Sequence, residues 1–289
     1  MNPFATKVLH WYAHYGRKDL PWQQNISPYR VWVSEIMLQQ TQVNTVIPYF
    51  RRFVDSFPNL AELADATEDA VLHHWSGLGY YSRARNLHKT AKIVMRDFNS
   101  GFPDNIDELI NLPGIGKSTA GAILATAFEI PTPILDGNVK RVLARHDGIA
   151  GWPGKSSVAK ALWDVSSKYT PDSNSRAYTQ AIMDIGATVC TRSKPNCESC
   201  PVNQSCTAFK ADQIALYPGK KPKKVLPVKQ TEMLILLNNN RQVLLEKRPT
   251  TGIWGGLWSL PETSEFQGHK FQGQINISQK KVWPVLRHT

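Results

Sequence analysis

The chain has 289 residues, and its 34 lysines and arginines outnumber its 23 aspartates and glutamates, which gives a formal net charge of +11. A charge of this sign favours a polyanionic partner, although a solvated basic surface without a partner would have the same balance. No apolar run approaches the roughly 18 residues that a membrane span needs, and the N-terminus has no apolar signal-peptide core, so the composition speaks against membrane insertion and export.

The first predicted elements are two helices, over residues 4 to 15 and after Ser27-Pro28, where serine caps and proline begins the helix. The second helix is predicted to continue through YRVWVSEIMLQQTQV. Glu35 stands among apolar neighbours in it, so burial is expected to raise its pKa and to let it act as a general acid. The alternative is a glutamate on the one solvated stripe of a buried helix. The uncharged side chains from Gln39 to Gln42 suit base edges and equally suit a helix end.

A glycine-rich loop, Gly77 to Tyr81, precedes the next clear helix, which begins with SRAR and has an apolar stripe up to Phe98. Exposed aromatic side chains beside arginines, here Tyr80 and Arg83, are suited to wedging into a base stack and holding a nucleic-acid backbone. The alternative is ordinary buried packing of the two tyrosines in this loop.

The stretch from Asn111 to Arg141 predicts a helix, a tight hairpin, a second helix, a proline-broken loop and a third helix. Gly114 and Gly116 permit positive φ angles, so the hairpin can point backbone N–H groups outward and bind one phosphate. Asp136 stands where its side chain would cap the helix from Gly137 to about Leu143. A cap with no further role is the alternative for this aspartate.

The four cysteines lie together in the spacing C-x6-C-x2-C-x5-C, at Cys190, Cys197, Cys200 and Cys206. In the reducing interior of a cell such a group indicates a metal site in preference to two disulfides. Four thiolates on one loop can ligate tetrahedral Zn²⁺ or a [4Fe–4S] cube, and the spacing alone leaves both open.

No strand alternation precedes about residue 230, so the chain up to that point is predicted to be all-α. A linker rich in lysine and proline occupies residues 217–229 and would also follow a phosphate backbone. Beyond it, residues 233–237 and 243–245 flank three asparagines and predict a β-hairpin.

Four separated motifs resemble those of the MutY-type adenine DNA glycosylases, members of the helix-hairpin-helix base-excision superfamily. They are VSEIMLQQTQV, GLGYYSRARNL, LPGIGKSTAGAILA with ILDGNVKRVLAR, and the cysteine loop. The resemblance spans essentially the whole chain. It implies a mainly α, helix-hairpin-helix glycosylase fold with an iron–sulfur cluster loop, followed by a partial Nudix-like α+β domain. It also implies one [4Fe–4S] cluster in preference to zinc at the four cysteines.

The resemblance assigns roles to individual residues. Glu35 would protonate N7 of an extruded adenine, Asp136 would stabilise the oxocarbenium-like sugar, and Asn138 would help to place the attacking water. These roles agree with what cleavage of an N-glycosidic bond requires, a proton for the base and a carboxylate for the cation. Gln40 and Tyr80 would enter the base stack opposite the lesion. The residues implied in DNA contact are Gln39, Gln40, Thr41, Leu78, Tyr80, Arg83, Gly114, Gly116, Lys117 and Ser118.

Two alternatives remain. The pyrimidine-specific glycosylase/lyase branch shares the hairpin and the cluster, but its amine nucleophile stands where this chain has Ser118, and it lacks an acid at the position of Glu35. Lys140 could still trap an abasic aldehyde as an adventitious Schiff base. The other alternative is a cluster-bearing DNA-binding protein without catalysis.

The predicted organisation is an all-α glycosylase region at 1–216, a basic linker at 217–229 and an incomplete Nudix-like 8-oxoguanine recognition domain at 230–289. Within the first region, a six-helix barrel contains the helix-hairpin-helix at about 104–128, and a cluster module combines the N-terminal helix with 135–210. The predicted partner is double-stranded DNA containing A:8-oxoguanine or A:G mispairs, bound by a monomer in the bacterial cytoplasm, at the nucleoid and away from membranes.

The C-terminal region resembles only the beginning of the family's Nudix-like domain. The sequence stops at Thr289 within VLRHT, which resembles the start of the loop that inspects 8-oxoguanine. The paired glutamates of the Nudix catalytic box are missing, so no pyrophosphatase activity is expected. We expect weaker discrimination of 8-oxoguanine:A from G:A than in a full-length relative, and exposed strand edges that favour aggregation.

Overall fold

The computed structural model describes residues 2–223, 228, 230–252, 254–263 and 281–283. The chain divides into two compact units, Met1–Lys224 and Val225–Thr289. The division falls within the predicted linker, and the finer module boundaries stay predictions.

The first unit is helical, as predicted, and polar residues in the sequence determine where many helices begin. Asn2, Ser27, Asn59, Thr67 and Asn105 each cap a helix through a side-chain oxygen that accepts a backbone N–H. The helices of the described part are α1 (Pro3–Tyr15), α2 (Pro28–Leu38), α3 (Val43–Ser56), α4 (Leu60–Asp65), α5 (Glu68–Trp75), α6 (Ser82–Asp97), α7 (Ile106–Ile110), α8 (Lys117–Ala127), α9 (Gly137–His146), α10 (Ser156–Tyr169), α11 (Ser175–Asp184), a π-helical turn (Ile185–Val189) and α12 (Thr207–Lys210).

Helices α2 to α8 form one group in which α2 contacts α3, α6 and α8. Large aromatic side chains fill its interior, and Trp32 of α2, Phe50 and Phe53 of α3 and Trp75 of α5 are fully buried. Burial of a side chain of phenylalanine size contributes about 1.5–3 kcal/mol. These rings therefore hold α2 in the middle of the group.

The second group combines α1 with α9 to α12, and its core includes Phe4, Leu162 and Ile182. Arg17, just after α1, donates from its backbone and its guanidinium to the fully buried carboxylate of Asp184 at 2.6 to 3.0 Å. This ion pair fixes α1 against the end of α11. Helix α8 contacts both α2 and α11 and so joins the two groups.

The predicted extent of one helix is wrong. The sequence predicts a single helix through VSEIMLQQTQV, but α2 ends at Leu38 and α3 begins at Val43. Between them Gln40 has a φ of +59°, which a right-handed helix cannot contain. Carbonyls at the end of α2 accept hydrogen bonds from Arg83 of α6. A tertiary contact therefore overrides the helical periodicity.

The described part of the second unit contains short antiparallel pairing. Strand β1 (Glu246–Lys247) pairs with β2 (Trp258–Ser259), with the first residue of β1 opposite the last residue of β2. Leu237 forms an antiparallel bridge with Val243 across a turn that begins at Asn238, which confirms the predicted hairpin.

The segment VLRHT lies outside the described residues. Among the described helices, none is long and apolar enough to cross a membrane.

Candidate active site

Glu35 lies near the C-terminal end of α2 and keeps only partial contact with solvent, while Ser34 and Ile36 beside it are buried. Burial within the protein is the main cause that raises the pKa of this carboxyl, and the negative charge of Asp136 adds to it, so that the pKa rises from 4.5 to about 8. The predicted increase in this pKa is confirmed. At neutral pH the carboxyl holds a proton that it can donate.

Asp136 is the N-cap of α9, as predicted. Its Oδ1 accepts a hydrogen bond from the backbone N–H of Val139 at 2.8 Å, and its Oδ2 accepts one from the side-chain amide of Asn138 at 3.2 Å. Burial raises the pKa of Asp136, but these hydrogen bonds and the positive charge of Arg141 oppose the increase. The groups around this carboxyl therefore favour its charged form against the effect of burial.

The fold brings Glu35 and Asp136 close enough for the charge of one to raise the pKa of the other. Helix α2 contacts α8, and the segment that follows α8 leads to Asp136. Burial and the neighbouring charge both favour the neutral form of Glu35, whereas hydrogen-bond donors stabilise the charge of Asp136. Burial raises the pKa of both carboxyls, but hydrogen-bond donors and Arg141 oppose the increase only at Asp136. Glu35 is therefore the better acid and Asp136 the better charged partner.

The backbone just before Asp136 is held by two serines. Ser118 of α8 accepts a hydrogen bond at its Oγ from the N–H of Leu135 at 2.9 Å, and Ser166 of α10 donates to the carbonyl of Ile134 at 2.7 Å. Leu135 and Ile134 are both buried. Ser118 therefore has a structural task, because it fixes the backbone that leads to Asp136.

The predicted hairpin joins α7 to α8. Gly114 has a φ of +81°, whereas Gly116 has an ordinary φ of −90° and forms the N-cap of α8. Ile115 between them is buried and anchors the turn, while both glycines are exposed. Lys117 follows, exposed, with its ammonium 4.4 Å from the ring centre of Trp163. Exposed N–H groups at a helix N-terminus beside a lysine can stabilise an anion.

Three residues predicted to contact DNA make their hydrogen bonds within the protein. Gln39 Nε2 lies 3.4 Å from the Gly114 carbonyl and from the Thr119 hydroxyl, which connects the end of α2 to the hairpin. The guanidinium of Arg83 is buried and donates to the hydroxyl of Thr41 at 3.2 Å. Direct contact of these side chains with DNA stays a prediction.

Gln40 and Tyr80 lie at the tips of two turns and share a left-handed backbone, with φ of +59° and +49°. Residues with side chains adopt this conformation at a cost of about 1–3 kcal/mol and keep it only where the surrounding structure holds it. Gln40 is exposed, Tyr80 has 39% of its surface exposed, and Leu78 beside it is buried. The alternative prediction, that Tyr80 is packed in the interior, is therefore wrong. Both tips are accessible to a ligand.

Asn138 connects Asp136 with residues to which the sequence assigned no role. Its Oδ1 accepts a hydrogen bond from Arg141 at 2.9 Å, and Arg141 Nε donates to the Cys190 carbonyl at 2.6 Å. The π-helical turn brings Gly186 so close that a Cβ there would lie 2.5 Å from the Cβ of Asn138. Hydrogen bonds thus run from the cysteine loop to Asp136. The spacing of three residues between Asn138 and Arg141 on a predicted helix was the one available signal.

The four cysteines line one recess between α9 and the loop that follows the π-helical turn. Burial raises the pKa of three of the thiols, that of Cys200 to about 11, and the charges of the other cysteines add to it. Bound cations relieve repulsion of this kind, so the donor set fits a metal group. No three His, Cys, Asp or Glu side chains of the described residues are arranged to hold one metal ion.

Arg145 was also missed and is buried beside the thiols, with 4% of its surface exposed. Its Nη1 lies 3.3 Å from Cys190 Sγ and donates to the Thr191 carbonyl at 2.8 Å, and its Nε donates to the Tyr217 carbonyl. This arginine places a positive charge against the cysteines and fixes the loop around them.

Comparison with known proteins agrees with this arrangement. Residues 33–168 match the family described as HhH-GPD superfamily base excision DNA repair protein, and residues 232–289 match the NUDIX domain. The chain is 46% identical over 259 residues to the adenine DNA glycosylase of Buchnera aphidicola subsp. Baizongia pistaciae (strain Bp), which covers 90% of this chain and 73% of that protein. It is 33% identical over 342 residues to the adenine DNA glycosylase of Mus musculus, covering 99% of this chain and 66% of that protein.

Two solved structures have a similar fold. A thermostable thymine-DNA glycosylase superposes with a TM-score of 0.64 at 26% identity, covering 72% of this chain and 95% of that one. Endonuclease III in a non-covalent complex with DNA superposes with a TM-score of 0.61 at 22% identity, covering 72% of this chain and 94% of that one. The second likeness concerns the fold alone.

Proposed function

Because this chain belongs to the adenine DNA glycosylases, within the HhH-GPD superfamily of base excision DNA repair proteins, we propose that it hydrolyses the N-glycosidic bond of adenine mispaired with 8-oxoguanine or guanine. The observation that carries the proposal is the carboxyl pair. Glu35 has a pKa of about 8, and it lies near Asp136, whose hydrogen-bond donors favour the charged form. The mispair itself is proposed from the sequence motifs and from the match to a NUDIX domain.

In the proposed reaction Glu35 donates its proton to N7 of the extruded adenine. The bond between C1′ and N9 breaks, its electron pair leaves with the base, and the sugar becomes an oxocarbenium-like cation. Asp136 stabilises that cation with its negative charge. Water then adds to C1′ and releases a proton. The product is an abasic site. With a pKa of about 8, roughly ten Glu35 carboxyls are protonated for each ionised one at pH 7, so the acid is ready before the substrate binds.

Asn138 has two tasks in this proposal. Its amide already donates to Asp136 and its Oδ1 accepts from Arg141, so it holds the carboxylate in one orientation. A second N–H of the same amide remains to orient the water that attacks the sugar. The geometry around Asp136 therefore supports a hydrolytic reaction by water.

The proposed DNA-binding face consists of the hairpin and the two turns. The backbone N–H groups of Gly114, Gly116, Lys117 and Ser118, together with the ammonium of Lys117, bind a phosphate near the extruded base. Gln40 and Tyr80 enter the base stack and occupy the space that the base leaves. The net charge of +11 supports binding of a polyanion. The protein is proposed to bind DNA as a monomer.

The four cysteines, Cys190, Cys197, Cys200 and Cys206, are proposed to hold one [4Fe–4S] cluster, with zinc as the less favoured alternative. Four thiols that line one recess, with the buried cation of Arg145 beside them, support a thiolate-bound metal group, and the resemblance of the sequence motifs favours the cluster over zinc. When bound, the cluster cross-links the segments of its loop and so contributes to folding.

Single-turnover release of adenine from 8-oxoguanine:A and G:A duplexes tests the proposal. We expect the parent chain to release adenine, and Glu35→Gln to lower the rate by about 10²–10⁴ while it binds the duplex with unchanged affinity. Asp136→Asn keeps an acceptor for the helix cap but removes the charge, so it is expected to lose activity and remain folded. Glu62→Gln, at an exposed carboxyl of α4, is the matched control and should keep the parent's rate.

Two outcomes would contradict the proposal. Tight duplex binding without adenine release by the parent chain would indicate a DNA-binding protein without catalysis. Strong borohydride trapping on abasic DNA that is abolished by a single lysine change would indicate a glycosylase/lyase, unless that lysine is Lys140, where an adventitious Schiff base is expected.

A further inference from the structure

Arg83 lies in the first turn of α6, three residues after Tyr80, and its side chain is buried, with 7% of its surface exposed. Both terminal nitrogens point into the protein. Six oxygens lie within hydrogen-bond distance of them, at 2.6 to 3.3 Å. They are the carbonyls of Ile36, Met37, Gln39, Leu78 and Gly79 and the hydroxyl of Thr41.

These acceptors belong to two turns that are far apart in sequence, which we call the paired turns: residues 36–41 at the end of α2, and residues 78–80 before α6. Each paired turn contains one exposed residue in the left-handed conformation, Gln40 in the first and Tyr80 in the second. Arg83 binds the oxygens that flank Gln40 on both sides and the carbonyl that directly precedes Tyr80. Left-handed residues with side chains persist only where neighbouring contacts hold them, and one guanidinium supplies those contacts for both turns.

Two aromatic rings lie near this guanidinium. Its central carbon lies 5.3 Å from the ring of Trp75 and 5.6 Å from the ring of Tyr80. The indole N–H of Trp75 donates to the Gly79 carbonyl at 3.2 Å, which ties the same ring to the second paired turn. Arginine is favoured at such a site because a planar, delocalised cation can stack on rings while its fork donates in several directions.

We propose that Arg83 is a positioning residue that holds the paired turns at one separation, so that Gln40 and Tyr80 enter the base stack together, and that it makes no contact with phosphate. The inference rests on the proposed function, because it requires these two tips to penetrate a duplex. Lysine cannot take this role, since its three donors share one nitrogen and cannot reach six acceptors in two turns.

Base extrusion gives a test that separates positioning from phosphate binding. 2-Aminopurine placed beside the target adenine becomes brighter when the stack opens, whether or not the glycosidic bond is cleaved. For Arg83→Lys, which keeps the charge, we expect the extrusion rate to fall by at least about tenfold, as misplaced groups typically cause. The dependence of duplex affinity on salt should stay that of the parent, because no phosphate contact is lost. Lys89→Ala, which removes an exposed cation from the same helix, should extrude the base at the parent's rate.

Three outcomes would overturn the inference. The first is an extrusion rate in Arg83→Lys equal to that of the parent. The second is an Arg83→Ala variant that still extrudes the base but whose salt slope of duplex affinity is reduced by about one, which would indicate a phosphate contact. The third is absence of extrusion by the parent. If the arginine variants do not fold, Thr41→Val removes a single acceptor and should slow extrusion by a smaller factor. A parent chain that extrudes the base but releases no adenine would contradict the proposed function and leave this inference standing.

Discussion

Replacement of Glu35 by glutamine is predicted to make the protein more stable at alkaline pH while it removes activity. In the folded chain the pKa of this carboxyl is about 8, against 4.5 for an unperturbed one. Between these values the folded state keeps a proton that the unfolded state has released. The stability contributed by the neutral carboxyl is therefore fully present below about pH 4.5 and is lost as the pH rises through 8.

The size of the effect follows from the same two pKa values. Each pH unit within the window removes about 1.4 kcal/mol from the free energy of unfolding, so the loss would approach about 5 kcal/mol by pH 8. Because Glu35 keeps partial contact with solvent, we expect about 3 kcal/mol. Glutamine does not titrate, so the stability of the variant relative to the parent should increase by about this amount between pH 5 and pH 8.

Urea unfolding, followed by tryptophan fluorescence at several pH values in this range, measures the effect. Only the change with pH is compared, so any constant effect of the amide cancels. Glu62→Gln should remain parallel to the parent across the range. Parallel curves for Glu35→Gln and the parent would refute the reasoning, because they would show that folding does not alter the pKa of Glu35.

Three other predictions follow from the same geometry. The single-turnover rate should be constant below about pH 7 and fall about tenfold per pH unit above 8, as Glu35 loses its proton; a rate that increases with pH would contradict the assignment. Ser118→Ala leaves the buried N–H of Leu135 without its acceptor, which should lower the free energy of unfolding by about 1–3 kcal/mol. Because the change displaces Asp136, it should also lower kcat about tenfold in steady-state assays and leave KM unchanged. Arg145→Met removes the cation and the donors that fix the cysteine loop. It should reduce the affinity for the proposed cluster about tenfold or more, measured as iron and sulfide per chain.

Local chemistry could be predicted from the sequence because it depends on neighbours along the chain. Apolar residues on nearly every side of Glu35 indicated a raised pKa, and the position of Asp136 after two prolines indicated a helix cap. The spacing of four cysteines within one short stretch indicated a shared site. In each of these cases the signal lies in residues that are close together along the chain.

The C-terminal end of α2 and the orientation of Arg83 could not be predicted in this way. Periodicity extends through Gln40, and SRAR beside tyrosines is equally compatible with an exposed cation. The helix stops because its last carbonyls bind Arg83, which comes from a helix more than forty residues later. Arg141 and Arg145 escaped notice for the same reason, since their acceptors lie in the cysteine loop.

The sequence by itself determined which side chains are present and what each can do: an acid among apolar neighbours, a capping carboxylate, two glycines for a turn and four thiols. The tertiary structure decided which of them work together. Only the packing of α2 on α8 brings Glu35 to Asp136, and only the buried hydrogen bonds around Asp136 oppose the effect of burial on its pKa. The physical reason is that desolvation and charge act through space, over distances that sequence separation does not record.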